Sequence, residues 1–372
     1  MSGPLSGIRV VEISSLAPTA FGAMICADLG ADVLRVDRAG ARGRGVDMPP
    51  GVLDRGRSTI ALDLKDPDDL DALHRVIESA DVLVEGFRPG VAERLGIGPD
   101  ALLERNPRLV YARMTGWGQS GPLSERAGHD INYLAIAGAL EPIGRAGERP
   151  VPPLNLVADL GGGGMLMALG VLAALQERQS SARGQVVDAA MVDGSSLLMT
   201  FLHGLRHAGL WPNERGSNLF DSGAPFYDTY ECADGRYVAV GAVETEFFAQ
   251  LLDTLDIEDV PHQYNFARWP ELRERLAVAF KQRTRDEWAE TFADVDACVS
   301  PVLTPWEAGE HPHNASRASF VRVGDAREPA PAPRFSRTPA ESPQPLTAGN
   351  AAMLLDGWGL DNDLITRLTG KE

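Results

Sequence analysis

Two residues suited to acid–base chemistry lie within one long polar stretch of the chain. Residues 115–164 are rich in glycine and proline, and they carry His129 in AGHDINY and Asp159 in NLVADLGGGG. An imidazole exchanges a proton near neutral pH, and a carboxyl group does so if burial raises its pKa. Either group could therefore take part in proton transfer. The spacing alone does not establish a site, because a lone His is usually a surface or core residue and an Asp before glycines is usually an N-cap.

Arginines form the second group with chemical potential, because a guanidinium binds phosphate well. Five of them follow predicted strands or turns in the first half of the chain: Arg38, Arg55, Arg57, Arg88 and Arg94. The formal net charge is -17, so an anionic ligand must be held by a local cluster of this kind. The same charge argues against non-specific binding to nucleic acid or to an anionic membrane surface. For any single arginine, a scattered surface residue remains the alternative.

The elements that would position these residues follow a βαβ pattern. Short apolar runs predict strands at 8–13, 33–36, 60–64, 82–84 and 109–114, and helical patterns lie at 19–29, 67–79 and 163–179. Buried strands separated by helices predict a doubly wound α/β domain with a parallel sheet. The polar stretch 115–164 then follows a strand and precedes a helix, where such folds bind ligands.

Nucleotide cofactors and metals are disfavoured by what the motifs lack. The turn after the first strand reads SSLAP, without the glycines that let a backbone approach a pyrophosphate, and Gly161 to Gly164 is followed by Met165 rather than by lysine. Cys26, Cys232 and Cys298 lie far apart and form no CxxC pair, so we expect neither disulfides nor zinc.

The N-terminal residues do not resemble a signal peptide, and no apolar run has the length of a membrane span. These features together predict a cytoplasmic protein.

A second domain is expected from the length of 372 residues. Near residue 226 the pattern changes to FYDTYEC and RYVAVGAV, joined by an Asp-Gly turn that is typical of a hairpin. Helical patterns follow at 246–255, 270–281 and 286–292. We predict a large Rossmann-like domain (1–190), a connecting helix and linker (191–224), a small α+β domain (225–325) and a return to the large domain (326–372). The helix in the connection is expected at 193–208.

Several long blocks resemble the family III CoA-transferase superfamily and, within it, the α-methylacyl-CoA racemases. They include GPLSGIRVVEI, ADLGADVLRVDR, DVLVEGFRPGVAERLG, YARMTGWGQSGP, AGHDINY and VPPLNLVADLGGGG, in that order. The resemblance covers nearly the whole chain and is weakest after residue 338. It implies a Rossmann-like large domain, a small domain, and a homodimer of two chains interlocked as rings, with each active site between the large domain of one chain and the small domain of the other.

The resemblance also implies roles for individual residues. His129 and Asp159 become the two proton-transfer groups, and Glu244 and Asn155 become supporting polar groups. The enzyme would interconvert (2R)- and (2S)-2-methylacyl-CoA through an enolate, without a metal or any cofactor apart from the CoA of its substrate.

Binding of CoA is expected through Arg38 and Arg94, as the resemblance implies. Arg55, Arg57, Arg88 and Asp130 are further candidates for contacts to it. The enolate oxygen needs donors already in place, and backbone N–H groups at the glycine-rich helix start or next to Asp130 are suitably located.

Two alternatives stay open at the level of sequence. Asp159 occupies the position of the acyl-accepting nucleophile in the transferases of the superfamily, so a CoA-transferase acting through an aspartyl-CoA anhydride is the closest one. His129 favours the racemase, because the transferases do not generally carry this histidine. The other alternative is an acyl-CoA-binding subunit without catalytic activity.

Overall fold

The structure is a computed structural model that describes residues 3–40, 53–211, 214–346 and 350–370. Two compact units divide the chain. The first comprises Met1–Ala137, Leu154–Leu198 and Ser316–Glu372, and the second comprises Gly138–Pro153 and Met199–Ala315. The predicted domain ranges differ from these units at 138–153 and 316–325, and they stay a prediction about independently folding domains.

Eleven strands and fourteen α-helices are found in the described part of the chain. The strands are β1 (Arg9–Ile13), β2 (Asp32–Arg38), β3 (Arg57–Leu62), β4 (Val82–Glu85), β5 (Val110–Thr115), β6 (Val186–Ala190), β7 (Tyr227–Glu231), β8 (Tyr237–Gly241), β9 (Val299–Pro301), β10 (Phe320–Val323) and β11 (Ala326–Pro329). The helices are α1 (Ala17–Asp28), α2 (Pro67–Glu78), α3 (Val91–Arg94), α4 (Pro99–Arg105), α5 (Asp130–Ile136), α6 (Leu166–Ser181), α7 (Met191–Leu198), α8 (Thr200–His207), α9 (Thr245–Thr254), α10 (Trp269–Phe280), α11 (Arg285–Thr291), α12 (Pro312–Ser316), α13 (Ala351–Gly357) and α14 (Asn362–Thr369).

A parallel sheet of six strands forms the centre of the first unit. The strand order is β3-β2-β1-β4-β5-β6, and every neighbouring pair is parallel. This is the doubly wound order. From β1 the chain adds strands first towards one edge of the sheet, and from β4 it adds them towards the other edge. The predicted α/β fold with a parallel sheet is confirmed. The crevice outside the carboxyl ends of β1 and β4 is therefore the expected place for a ligand.

Helices cover the sheet, and they pack on it through their apolar side chains. Pro67 begins α2 at a position where its missing N–H costs nothing, and Asp66 accepts a hydrogen bond from Asp68 N at 2.9 Å. The helix then buries Leu73 and Ile77 in the core between strands and helices. The C-terminal helices α13 and α14 contribute further side chains to this same core: Leu355, Trp358, Leu364 and Leu368.

The segment Leu156–Ser181 is more apolar than the sequence patterns indicated. By length and composition alone it could cross a membrane, and 39% of its most apolar window is buried. Its first part, Leu156–Met165, is π-helical and leads directly into α6. The segment packs against α1, β5 and β6, and Arg178 within it is buried and donates to Asp81 Oδ1 at 2.8 Å. A helix that packs on a central sheet passes the same composition test, so the packing explains the composition.

The second unit has an antiparallel sheet in the order β7-β8-β9. The predicted hairpin is present, with Tyr227 paired to Gly241 and Glu231 paired to Tyr237. Aromatic side chains from the sheet and from α9, α10 and α11 form its core. The helix expected at 193–208 is two helices, α7 and α8, separated at Met199. The division between the two units falls at this same place.

Candidate functional site

His129 and Asp130 lie at the start of α5. His129 is the N-cap residue, with φ -134° and ψ 173°, and its N–H donates to Asn132 Oδ1 at 3.1 Å. This contact orients the first turn. The His129 side chain is exposed in the single chain, whereas Asp130 is only 6% exposed. Adjacent residues therefore point into different surroundings, one towards solvent and one into the protein.

Asp159 lies in the first turn of the π-helical segment. Asn155 is the N-cap residue of this segment. The glycines that follow allow this segment to approach its neighbours closely. A Cβ at Gly162 would lie 2.8 Å from Ser195 N in α7, and a Cβ at Gly164 would lie 2.5 Å from the carbonyl oxygen of Pro18 in α1. Widened turns of this type recur at functional sites. The glycine run is thus a packing device that holds Asp159 against α5, α7 and α1, rather than a phosphate loop.

The segments of His129 and Asp159 are joined through Asp130. Its Oδ2 accepts hydrogen bonds from Ala158 N and from Asp159 N, both at 2.8 Å. Asn155 Nδ2 lies 3.5 Å from Asp159 Oδ2, which is a long hydrogen bond. The structure thus brings together His129, Asp130, Asn155 and Asp159, all within the first unit.

Burial raises the pKa of the Asp159 carboxyl, and the negative charge of Asp130 raises it further. The hydrogen bond from Asn155 and the charge of His129 act in the opposite direction on the same pKa. The net effect is a carboxyl group that holds its proton more tightly than an exposed aspartate does. A carboxyl of this kind can serve as an acid in one direction of a reaction and as a base in the other.

Tyr133 of α5 and Trp117 form an aromatic wall beside these groups. Their ring centroids are 4.8 Å apart in an edge-to-face arrangement, and the Tyr133 hydroxyl donates to Gly128 O. Burial and then the charge of Asp159 raise the pKa of Tyr133 to about 12, whereas the charge of Arg88 lowers it. Tyr133 and Arg88 are therefore neighbours of the site. Sequence reasoning did not identify Tyr133, although it closes the motif AGHDINY.

A cleft of about 290 Å³ lies outside the carboxyl ends of β1, β2 and β3. Arg38 and Lys65 supply positive charge to its lining, and Phe87 and Val91 supply apolar surface. The neighbouring Asp37 carboxylate is already engaged, because it accepts from Arg35 Nε at 2.8 Å and from Thr59 Oγ1 at 2.6 Å. The lining of this cleft thus combines cations with apolar side chains. Sequence reasoning found Arg38 but missed Lys65, whose place depends on the β3–α2 turn.

Arg88 lies in the loop after β4 and Arg94 at the end of α3, and both are exposed. An ion-pair network around the buried Arg113 contacts both ends of this segment. Arg113 of β5 donates from Nε to Glu85 Oε1 at 3.0 Å and from Nη1 to Glu93 Oε1 at 2.8 Å. Glu85 Oε2 in turn accepts from the backbone N–H of Phe87 at 2.6 Å.

Arg55 and Arg57 have partners inside the chain. Arg55 pairs with Asp28 at 2.6 Å and with Glu328 at 3.0 Å. Arg57 is 3% exposed and pairs with Glu12 at 2.7 Å. Their contact with CoA stays a prediction, but two buried guanidiniums with carboxylate partners are explained by folding alone. The Asp130 carboxylate likewise accepts hydrogen bonds from two backbone N–H groups of the chain. Its negative charge would repel a phosphate, so its contact with CoA also stays a prediction.

Glu244 belongs to the second unit, whereas His129, Asn155 and Asp159 belong to the first. It is the exposed N-cap residue of α9. The Tyr264 hydroxyl donates to Val243 O at 2.6 Å beside it, and burial followed by the charge of Glu244 raises the pKa of Tyr264. Among the described residues, no cluster of three or more His, Cys, Asp or Glu side chains could hold a metal ion. The absence of a metal from the reaction stays a prediction.

Known proteins share this fold and much of this sequence. Residues 5–349 match CoA-transferase family III. The α-methylacyl-CoA racemase of Mus musculus is 50% identical over 339 residues, which are 90% of this chain and 87% of that protein, and the human protein of the same name is 47% identical over the same shares. The crystal structure of a CAIB/BAIF family protein from Brucella suis has a TM-score of 0.82 at 23% identity, covering 96% of this chain and 100% of that one. At that identity the likeness concerns the fold alone.

Proposed function

The chain belongs to CoA-transferase family III, and from this premise we propose that it is a racemase of 2-methylacyl-CoA thioesters. The observation that carries the proposal is the junction of the His129 and Asp159 segments through Asp130, in a chain 50% identical to an α-methylacyl-CoA racemase. A transferase would need only the carboxylate as nucleophile. A racemase needs a second proton-transfer group, and His129 supplies it.

The proposed reaction moves one proton from one face of the α-carbon to the other. Neutral His129 removes the α-proton, the thioester becomes an enolate, and protonated Asp159 delivers its proton to the opposite face. The reverse reaction starts from the imidazolium and the carboxylate, so the pair shares one proton and titrates as a coupled unit. The raised pKa of Asp159 supports this, because an acid must keep its proton until the enolate forms.

The enolate oxygen needs a hydrogen-bond donor that is free to meet it. The N–H groups of Ala158 and Asp159 already donate to Asp130. This leaves backbone N–H groups at the start of α5, next to Asp130, as our candidates. No group other than the CoA of the substrate is needed for the reaction as proposed.

For CoA itself we propose that the adenosine end binds in the cleft beside Arg38 and Lys65. Arg88 and Arg94 then neutralise phosphate charge from the loop after β4. Local cations of this kind are required because the whole chain carries a net charge of -17. Arg55 and Arg57 are left out, since their carboxylate partners lie within the chain.

The partner that we propose is a second copy of the chain, interlocked with the first, which brings its Glu244 to His129 and Asp159. Apolar side chains on the first unit support such a partner, because several are largely exposed in one chain: Leu16 71%, Leu156 55%, Met165 56%, Leu169 60% and Leu198 56%.

We further propose a reducing compartment such as the cytoplasm, in keeping with free Cys26, Cys232 and Cys298.

Deuterium incorporation tests the two roles separately. In deuterium oxide the wild-type protein should exchange the α-proton of both epimers of a 2-methylacyl-CoA and interconvert them. His129→Ala should exchange, if at all, only the epimer whose proton Asp159 reaches, and Asp159→Ala only the other, each with retention of configuration. Mass spectrometry and chiral chromatography of the recovered thioester measure both outcomes.

The controls distinguish the alternatives. Hydroxylamine traps an acyl- or CoA-enzyme, so formation of a hydroxamate at Asp159 would identify a transferase. A variant with one base missing that still inverts both epimers would rule out the two-base assignment. Lack of α-proton exchange by wild-type protein across a panel of acyl-CoA esters would point to a binding subunit.

A further inference from the structure

Asp130 is buried, charged and located between the two groups that the reaction uses. It follows His129 directly in the chain, and its carboxylate contacts the backbone of Asp159 rather than solvent. Resting on the racemase function proposed above, we infer that Asp130 is a positioning residue that sets the spacing of the two bases and keeps their shared proton in place. It acts through Asp159 and His129 and touches no substrate.

The geometry of the contact supports this role. One oxygen, Asp130 Oδ2, accepts from two successive N–H groups, Ala158 N and Asp159 N, at 2.8 Å each. A carboxylate in the first turn of a helix ordinarily serves the N–H groups of its own helix. Here it serves those of the π-helical segment instead, so it ties the start of α5 to the residue that carries the acid. Any shift of Asp130 would move His129 and Asp159 relative to each other.

The charge of Asp130 is the second observation. Its Oδ1 is buried and has no hydrogen-bond partner among the described residues, so the negative charge is only partly neutralised. After burial, this charge is the largest influence that raises the pKa of Asp159. The other groups on Asp159 are Asn155 and His129, which act in the opposite sense.

The glycines of the π-helical segment meet α1 and α7 through apolar side chains, backbone atoms and the Ser195 hydroxyl. Met191 of α7 and Pro18 of α1 lie against Gly163, and the backbone of α7 at Gly194 lies against Gly162. The nearest further titratable group is the Tyr133 phenol, whose own pKa is raised by burial and by Asp159. Asp130 is therefore the negative group whose removal should be felt by the pair of bases.

The test compares Asp130→Asn with Asp130→Ala. Asn keeps an oxygen that can accept the two N–H groups but has no charge, so the bell-shaped pH profile of kcat/KM should move to lower pH on both limbs, because both protons of the pair are then held less tightly. Ala removes the tie as well, and kcat should fall about 100-fold with KM little changed, as expected for misplaced reacting groups. Amide hydrogen exchange at Ala158 and Asp159 should accelerate in Asp130→Ala.

Asp361→Ala is the matched control, because this carboxylate also accepts a backbone N–H, from Leu364 at 2.9 Å, at the start of α14. It should leave the pH profile unchanged. An unchanged pH profile in folded Asp130→Asn overturns the inference, even if Asp130→Ala is inactive, since a purely structural brace would explain that loss. If wild-type protein exchanges no α-proton, the proposed function fails instead. In that case, unaltered amide exchange in Asp130→Ala would overturn the tie between α5 and Asp159 independently of activity.

Discussion

Glu12 and Asp159 are two of the carboxyl groups of the first unit whose pKa values are raised by desolvation, and they lie in different settings. Burial raises the pKa of Glu12 on β1 to about 7, and the Arg57 guanidinium opposes this rise. Burial also raises the pKa of Asp159, which is only half-buried. Glu12 lies inside the fold, so its raised pKa affects the stability of the protein. Asp159 lies at the candidate site, so its raised pKa affects proton transfer with the substrate.

Glu12 should make the stability of the protein depend on pH. Its pKa is about 7 in the folded protein and near 4.5 in the unfolded chain, so the folded state binds the proton more tightly. This stabilisation is complete below pH 4.5 and is lost as the pH rises through about 7. Between about pH 5 and pH 8 the free energy of unfolding of wild-type protein should fall relative to that of Glu12→Gln by roughly 2–3 kcal/mol.

Urea titrations at several pH values measure this difference. Glu78→Gln provides the control, because Glu78 forms only an exposed ion pair with Arg105, and its difference from wild type should stay nearly constant with pH. A constant difference for Glu12→Gln as well would contradict the prediction. Glu12→Gln also leaves the buried Arg57 without its carboxylate, which changes the free energy of unfolding at every pH. The comparison therefore uses only the change of the difference with pH.

At this scale the sequence was informative where residue type alone decides the chemistry. His129 and Asp159 were identified from their types and from the motifs around them, and the structure brings their segments together. Arg57 was assigned to phosphate because it is an arginine after a turn. Its partner Glu12 lies 45 positions earlier in the chain, on a strand buried on both faces. No local pattern reports such a pairing, because it depends on which strands become neighbours.

Among the elements, the loop between β4 and α3 depends most on one buried side chain. Arg113 joins Glu85 at the end of β4 to Glu93 in α3, and the exposed Arg88 and Arg94 lie between or beside these anchors. A guanidinium can serve both carboxylates through its planar fork, whereas an ammonium group has no such geometry. The loop should therefore lose its shape when the fork is lost, even if the charge is retained.

Arg113→Lys should raise KM for the acyl-CoA about tenfold while kcat changes little, since one charge-assisted hydrogen bond is worth about 1.5–3 kcal/mol. Steady-state kinetics with one thioester measure this. Arg105→Lys, in an exposed pair on α4, is the control and should behave as wild type. A folded Arg113→Lys enzyme with unchanged KM, whatever its kcat, would show that the network does not position the CoA-binding arginines.

Element boundaries were predicted well where caps are local in sequence. Helix α2 was expected at 67–79 and spans Pro67–Glu78, because Asp66, Pro67 and Asp68 specify its start. The π-helical turn could not be predicted in this way. Its four glycines have little preference of their own, and the close approach of α1 and α7 gives them their conformation. The single helix expected at 193–208 was wrong, since the structure has two helices with a break at Met199, where the division between the units also falls.

For the whole molecule, the distribution of site residues over the two units gives the sharpest expectation. His129 and Asp159 belong to the first unit and Glu244 to the second. If two chains share each site, a heterodimer of Asp159→Ala and Glu244→Ala chains contains one intact site. The isolated heterodimer should then contain about half as many intact sites as the wild-type dimer. Co-expression with two different affinity tags, followed by tandem purification and assay, measures this recovery.

The matched control combines Asp159→Ala with His129→Ala. Both changes lie in the first unit, so every site of that heterodimer lacks one base and activity should stay absent. Recovery in both combinations would indicate exchange of whole segments or contamination. No recovery in the first combination, with both variants folded and dimeric, would mean that each chain completes its own site.

The whole fold was predictable to the level of class. Alternating strands and helices indicated the parallel sheet, and its strand order follows the usual rules for such connections. The assignment of residues 138–153 to the second unit was not predictable, because it depends on contacts far apart in sequence.

The discontinuity of the first unit has a consequence for synthesis on the ribosome. Strands β1 to β6 lie within residues 9–190, yet α13 and α14, which pack on β2 and β3, lie at residues 351–369. Until Leu355, Trp358, Leu364 and Leu368 leave the ribosome, part of the apolar core around Leu34 and Leu62 has no cover. The second unit is encoded mainly by 199–315 and can be completed earlier. The part of the protein that is translated first is thus the part that finishes folding last, and it is the part that a cell must protect from aggregation in the meantime.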